Sequence, residues 1–290
     1  MSADNSTYYI PEPSHWPIVG SIGLTTTLVG AASWMHADWY GPYVFTLGFC
    51  VLIGMFFGWF GQVIYENQKN RFNLQVDRSF RWGMCWFIFS EVCFFGSFFG
   101  ALFASRYLTI PEMGGEINPI THLTLWPSFK AVWPLLANPD NHTFVGAYHA
   151  MDAWGLAAAN TLILLTSGIT ITWAHWALKY NKRRQLEVGL AFTIALGILF
   201  LTLQAKEYHD AYTEMNLTLD AGIYGTTFFM LTGFHGLHVT IGTIMLIVIL
   251  IRSLYGHFTP DRHFAFEAVA WYWHFVDVVW LFLFIFVYWL

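Results

Sequence analysis

Apolar residues along this chain gather into seven blocks, at approximately 16–36, 42–65, 83–105, 156–178, 187–207, 222–251 and 266–290, parted by polar stretches. Each block is long enough to cross a hydrocarbon layer of about 30 Å. In lipid every backbone N–H and C=O must be satisfied within its own segment, so the blocks predict helices. The alternating ten-residue strands of a membrane barrel do not appear in the pattern. The expected class is an all-α membrane protein with seven transmembrane helices. Composition agrees: only 11% of the 290 residues are charged and 56% are hydrophobic, against roughly 25% charged in a soluble domain.

Charge then sets an orientation. With the N-terminus inside, ten of the thirteen Lys and Arg residues fall on inside segments: Lys69, Arg71, Arg78 and Arg81, then Lys179, Lys182, Arg183 and Arg184, then Arg252 and Arg262. Arg106, Lys130 and Lys206 fall outside. The positive-inside rule therefore expects the N-terminus inside and the C-terminus outside. The basic segment 66–82 divides the chain into a tail with helices 1 and 2 (1–65), a cytoplasmic linker (66–82) and a five-helix bundle (83–290), which suggests two bundles with a groove between them. Residues 106–155 form the one long connection, rich in Pro and Trp; a loop of this length binds or covers something, or is partly disordered. The polar first fifteen or so residues predict no cleaved leader.

Several features carry little chemistry. Cys50, Cys85 and Cys93 lie inside apolar blocks and read as small core hydrophobes. Gly54 and Gly58, and Gly96 and Gly100, have the spacing that lets membrane helices approach closely. Asn141-His142-Thr143 and two similar triplets match a glycosylation pattern and are read as chance. No basic stripe points to nucleic acid. No phosphate loop, nucleophile elbow or zinc-protease signature is present.

Charges within the membrane are costly and mark candidate functional positions. Glu91 stands near the middle of the third block, and is expected to be neutral or paired with a group on another helix. Its role is then proton handling, lipid contact or a structural interhelical hydrogen bond. Glu267 and Asp277 are expected to flank the start of the last helix, with His274 three residues before Asp277 on the same side; a buried pair at a subunit interface is the favoured role. His235 and His238 share a face of helix six and, with His175 and His274, are intramembrane imidazoles, for which structural roles are expected over metal or haem ligation. No metal site is expected. Arg252, His257 and Arg262 cluster at the last inside loop, and Glu66, Lys69 and Arg71 at the first; basic groups there attract anionic headgroups at about 1 kcal/mol each.

The run from His263 to Leu283, HFAFEAVAWYWHFVDVVWLFL, resembles the C-terminal signature of cytochrome c oxidase subunit III. Gly225-Thr226-Thr227-Phe228-Phe229 with Thr232-Gly233-Phe234-His235-Gly236-Leu237-His238-Val239 is similar to that family's sixth helix. Asn160-Thr161, Ser167-Gly168 and Thr172-Trp173-Ala174-His175 are similar to its fourth, and Arg81-Trp82-Gly83-Met84 with Phe87 to Glu91 to its third. The resemblance spans nearly the whole chain and is specific from residue 81 onward. It departs where Ala157, Ala158 and Ala159 replace the family's proline before the Asn-Thr pair, and where Arg262 and His263 stand for two histidines. Glu66 aligns with the family's acid, although less charge surrounds it.

The resemblance implies an accessory, non-catalytic subunit of an aa3-type oxidase that reduces oxygen with electrons from cytochrome c and pumps protons. By motif position, Glu91 is tied to proton uptake, and Glu66, Arg252, His257 and Arg262 to lipid. Haem a, haem a3 and copper are expected in partner subunits and none in this chain, with phospholipid bound. The implied partners are oxidase subunits I and II, with cytochrome c reached through subunit II, in a bacterial inner membrane. The alternatives are subunit III of a quinol oxidase, which usually lacks the two N-terminal helices, an independent proton channel or transporter, and a haem-binding redox protein using His235 or His274.

Overall fold

A computed structural model describes residues 12–69, 71–117 and 119–290. Most of the polar N-terminal tail, including the triplet at Asn5, lies outside the described residues. Among those described, seven helices are long and apolar enough to cross a membrane: α1 (Trp16–Met35), α2 (Gly41–Gln68), α3 (Leu74–Ala104), α4 (Ala158–Lys179), α5 (Arg183–Glu214), α6 (Ile223–Leu254) and α7 (Phe264–Leu283). The only β feature among the described residues is a bridge between Thr259 and Arg262.

The helices run past the apolar blocks. α5 has 32 residues, about 48 Å at 1.5 Å per residue, although its apolar block covers 187–207. Hydropathy marks the part in hydrocarbon; the charged flanks are good helix formers and continue the same hydrogen-bond ladder. α3 likewise continues through a wide π-type turn, Ser105–Thr109, into Ile110–Met113. The widening precedes Pro111, which has no N–H to return to the preceding turn. The long connection therefore does not begin at Arg106; its first eight residues are helical. Polar side chains within the spans are satisfied locally: Thr27, Thr166, Thr193 and Thr243, for example, donate to the carbonyls four residues back, as lipid requires.

The chain forms two compact units, one ending at Trp82 and one running from Gly83 to Leu290. In the first, α1 and α2 make an antiparallel hairpin whose closest approach is at glycines. A Cβ on Gly30 would lie 2.2 Å from the Phe45 nitrogen, and one on Gly48 2.4 Å from the Thr27 nitrogen. The glycine pairs picked out by spacing behave otherwise. A Cβ added to Gly54, Gly96 or Gly100 would meet nothing within 4 Å among the described residues, and one on Gly58 would run into the Trp16 indole of the neighbouring helix. Spacing shows where close approach is permitted, and the facing helix decides whether it happens.

In the second unit, α7 packs against α4 and α6, and α5 closes the group between them. Trp273 and Trp280 of α7 are fully buried. Their indole N–H groups donate to Ser167 Oγ and Thr161 Oγ1 of α4, at 2.8 and 2.9 Å. The Trp273 ring sits over Gly197 and Gly242, where any Cβ would lie within 3 Å of it. The α3 residues Phe95 and Leu102 join the same core.

The connection after Met113 covers the turn between α5 and α6. Tyr148 N–H donates to Met215 C=O at 2.8 Å, Met151 N–H to the Tyr224 hydroxyl at 3.0 Å, and Asn138 Nδ2 to Ala221 C=O at 3.2 Å. Asn141 of the middle triplet spends its side-chain oxygen on the N–H groups of Asn138 and Gly146. Asp140 accepts from Thr143 and His142, and the Thr143 bonds hold its carboxyl below the usual range.

Candidate functional site

The carboxyl of Glu91 on α3 meets an imidazole on α6. Its Oε2 lies 2.8 Å from His238 Nε2, with both side chains largely buried. The other ring nitrogen, Nδ1, lies 2.6 Å from Phe234 C=O. A carbonyl only accepts, so Nδ1 carries a proton and donates. A hydrogen bond between Nε2 and Oε2 then needs one further proton, as carboxylic acid with imidazole or as carboxylate with imidazolium. Either arrangement is neutral overall, which is how an acid is tolerated at this depth. The α7 Tyr272 hydroxyl donates to His238 C=O at 3.3 Å, and the Phe95 ring lies 5.0 Å from the imidazole. Residues of three helices thus surround the contact between Glu91 and His238 with aromatic rings.

The other candidates do not converge on that pair. His235, one turn before His238, is fully buried and donates Nε2–H to Val276 C=O of α7 at 3.2 Å. It faces Phe200 and Trp280. His274 Nδ1 stands 3.9 Å from Asp277 Oδ2, and its Nε2 3.3 Å from Thr172 Oγ1. Asp277 is buried with Oδ1 lacking a hydrogen-bond partner. It lies against Gly168, where a Cβ would come within 2.6 Å of its Oδ2. α7 begins at Phe264, so Glu267 is in its first turn and Asp277 lies more than three turns in. The expectation that both flank the helix start is corrected for Asp277, which lies well inside α7 and is buried there.

The lipid candidates fall in both units. Near the end of α2, Gln62 Nε2 donates to Glu66 Oε1 at 2.9 Å, and Gln62 Oε1 accepts from Trp16 Nε1 at 2.8 Å. Glu66 lines a cavity of about 280 Å³ with Trp59, Gln62, Phe72 and Phe80. In the second unit, Arg252 is buried near the end of α6, its guanidinium 4.6 Å from the Phe258 ring centre and its Nε without a hydrogen-bond partner. His257 follows in the loop, its N–H donating to Arg252 C=O at 3.1 Å. Burial and then the Arg252 charge push its imidazole below the ordinary 6.5. Arg262 and Thr259 exchange backbone hydrogen bonds, which closes that loop.

One buried acid was not picked out from sequence. Glu207 of α5 is 2% exposed. Its Oε2 accepts from the Tyr288 hydroxyl at 2.9 Å, and its Oε1 has no hydrogen-bond partner. Gln204 and Tyr208 beside it bond to Thr232 of α6. The apolar block ends at 207, so the acid read as a boundary residue; the helix runs two turns further and places it inside the bundle.

The family model for cytochrome c oxidase subunit III matches residues 6–139 and 125–290 of this chain. Cytochrome c oxidase subunit 3 of Dugong dugon is 39% identical over 290 residues, spanning 100% of this chain and 99% of the relative. That of Hippopotamus amphibius is 41% identical over the same shares. That of Drosophila melanogaster is 41% identical over 286 residues, 98% of this chain and 97% of the relative. The chain belongs to the cytochrome c oxidase subunit III family.

Proposed function

We propose that this multi-pass membrane protein is the accessory third subunit of an aa3-type cytochrome c oxidase. It packs against the catalytic subunit, holds lipid and sustains proton uptake while taking no part in the redox chemistry itself. Haem a, haem a3 and copper belong on this reading to the partner subunits I and II, and cytochrome c docks on subunit II. The membrane is a bacterial inner membrane, with the N-terminus inside.

The observation that carries the proton-uptake role is the pair of Glu91 and His238. A single proton shared across two helices, inside a span, is a group that can take up and return charge at little electrostatic cost, because the pair stays neutral. Glu66 beside its cavity, with Arg252, His257 and Arg262 at the end of α6, supports the lipid role. A cavity of this size, with an acid and aromatic walls, suits a small zwitterionic headgroup or the start of an acyl chain. The presence of α1 and α2 favours the cytochrome c form over the quinol form.

The test is purification from native membranes in mild detergent, with visible spectrum and subunit content read together. The chain is expected to co-purify with haem a and copper subunits, and to be colourless once separated from them. A chain that runs alone, or that keeps a haem, overturns the reading. In the intact complex, Glu91→Gln is expected to lower the protons pumped per electron on repeated turnover while leaving the haem spectrum unchanged.

A further inference from the structure

Where α4 ends and α7 begins, three potential metal ligands from distant parts of the sequence meet. His175 is in the last turn but one of α4, His263 caps α7 and Glu267 is in its first turn. One ligand atom from each lies within 4.8 Å of the other two. Glu267 Oε1 is 3.2 Å from His263 Nε2 and 3.6 Å from His175 Nε2. The two imidazole rings stand 5.4 Å apart, steeply inclined to one another.

These distances lack the geometry of simple hydrogen bonds. Both Nε2 atoms are buried and neither makes one, although a carboxylate oxygen is close to each. The nitrogens are therefore near the oxygen but not aimed at it. A buried polar atom left in that state is costly and calls for an explanation. A metal supplies one. Two ligand atoms each about 2.05 Å from a tetrahedral zinc lie about 3.3 Å apart, with their lone pairs pointing at the metal and not at each other. Both measured carboxylate–imidazole separations bracket that edge length. All three ligand atoms lie within 4.8 Å of one another, so the imidazole–imidazole edge is the one a bound ion would have to draw in.

The outer contacts fit as well. His263 Nδ1 lies 3.2 Å from Thr259 C=O; the carbonyl accepts, so Nδ1 bears the proton and Nε2 presents its lone pair. An imidazole that donates its far N–H to a backbone carbonyl is the usual support for a metal-binding histidine. Thr259 is itself fixed by its backbone exchange with Arg262, so the loop that delivers His263 is braced.

We infer that His175, His263 and Glu267 form a binding site for a divalent transition-metal cation of the zinc class. Two imidazoles and one carboxylate suit zinc better than the hard, all-oxygen cations. Three protein ligands leave a fourth position for water or a donor from a neighbouring chain. Bound there, the ion ties the end of α4 to the start of α7, joining His175 to His263, 88 positions later in the sequence. The inference does not depend on the oxidase reading.

The test uses the full-length chain in detergent micelles, stripped with a chelator and titrated with Co²⁺. One equivalent is expected to bind with the intense visible bands of tetrahedral cobalt, and one equivalent of Zn²⁺ to displace it. His175→Ala, His263→Ala and Glu267→Gln are each expected to weaken binding at least about tenfold, while His149→Ala, in an exposed part of the loop, leaves it unchanged. Absence of the tetrahedral bands, or equal affinity in the His175→Ala/His263→Ala double variant, overturns the proposal. Zinc-edge X-ray absorption on the unsubstituted chain decides the matter without any variant. Two imidazole nitrogens and one carboxylate oxygen support the site, and any other ligand set refutes it.

Discussion

Removing the His238 imidazole while keeping Glu91 strips the buried acid of its hydrogen-bond partner on α6. Side-chain hydrogen bonds between membrane helices average about 0.6 kcal/mol in double-mutant cycles and reach about 1.7. The bond between Glu91 and His238 is short, at 2.8 Å, and lies inside an aromatic surround, so it belongs near the upper end, at about 1.5 kcal/mol. His238→Leu should lose that coupling and also the donation to Phe234 C=O and the ring packing on Phe95. A total of about 2–3 kcal/mol is expected, close to a hundredfold in the unfolding equilibrium. Glu91→Gln should cost much less. Its amide donates to the Nε2 lone pair, since Nδ1 keeps its proton on Phe234. The assay is reversible unfolding in mixed detergent micelles of the wild type, Glu91→Leu, His238→Leu and the double variant. A coupling of about 1–2 kcal/mol is expected; additivity to within about 0.5 kcal/mol would mean that the pair shares no proton of consequence, and the neutral-pair account would fall.

Three further outcomes follow from the geometry. Gly30→Val puts a branched side chain against the Phe45 backbone and should destabilise the hairpin of α1 and α2 by about 1–3 kcal/mol, whereas Gly96→Ala should be neutral or slightly stabilising in the isolated chain; thermal unfolding of the two variants separates them. Tyr288→Phe leaves both oxygens of the buried Glu207 without a donor and should cost about 1–3 kcal/mol, with Glu207→Gln restoring most of the loss; equal stability of Tyr288→Phe and wild type would contradict the assignment. The His257 imidazole should titrate below 6.5 in neutral detergent by carbon-13 NMR, and its midpoint should rise when phosphatidylglycerol is added. Because the folded state holds this proton more weakly than the unfolded chain, its contribution to stability is complete above about 6.5 and declines as pH falls below it; a midpoint at or above 6.5 without anionic lipid would remove the effect of Arg252.

The spans were readable from hydropathy because lipid imposes one rule on the backbone, and runs of apolar residues report it directly. Ends were less readable: Arg183 and Arg184, and the residues from Tyr208 to Glu214, continue α5 beyond its apolar block, where hydropathy is silent. For the same reason Glu207 went unnoticed. Glu91 was conspicuous as a lone acid in an apolar block, but its partner lies 147 residues away and no local pattern connects the two. The meeting of His175 with His263 and Glu267 is hidden in the same way, since it depends on how α4 and α7 pack. Gly54, Gly96 and Gly100 show the opposite failure, in which a local pattern is present and no described residue answers it.

The loop that covers the turn between α5 and α6 has a consequence for the order in which the molecule is built. Asn138 is fastened to Ala221, 83 residues later, and Tyr148 and Met151 to Met215 and Tyr224. At about 5–20 residues per second on the ribosome, that docking surface emerges roughly 4 to 17 s after Asn138 does. During that interval the loop is without its seat. An accessory factor that shields nascent segments would find a window here, and a stalled chain ending before Met215 would expose this loop to protease.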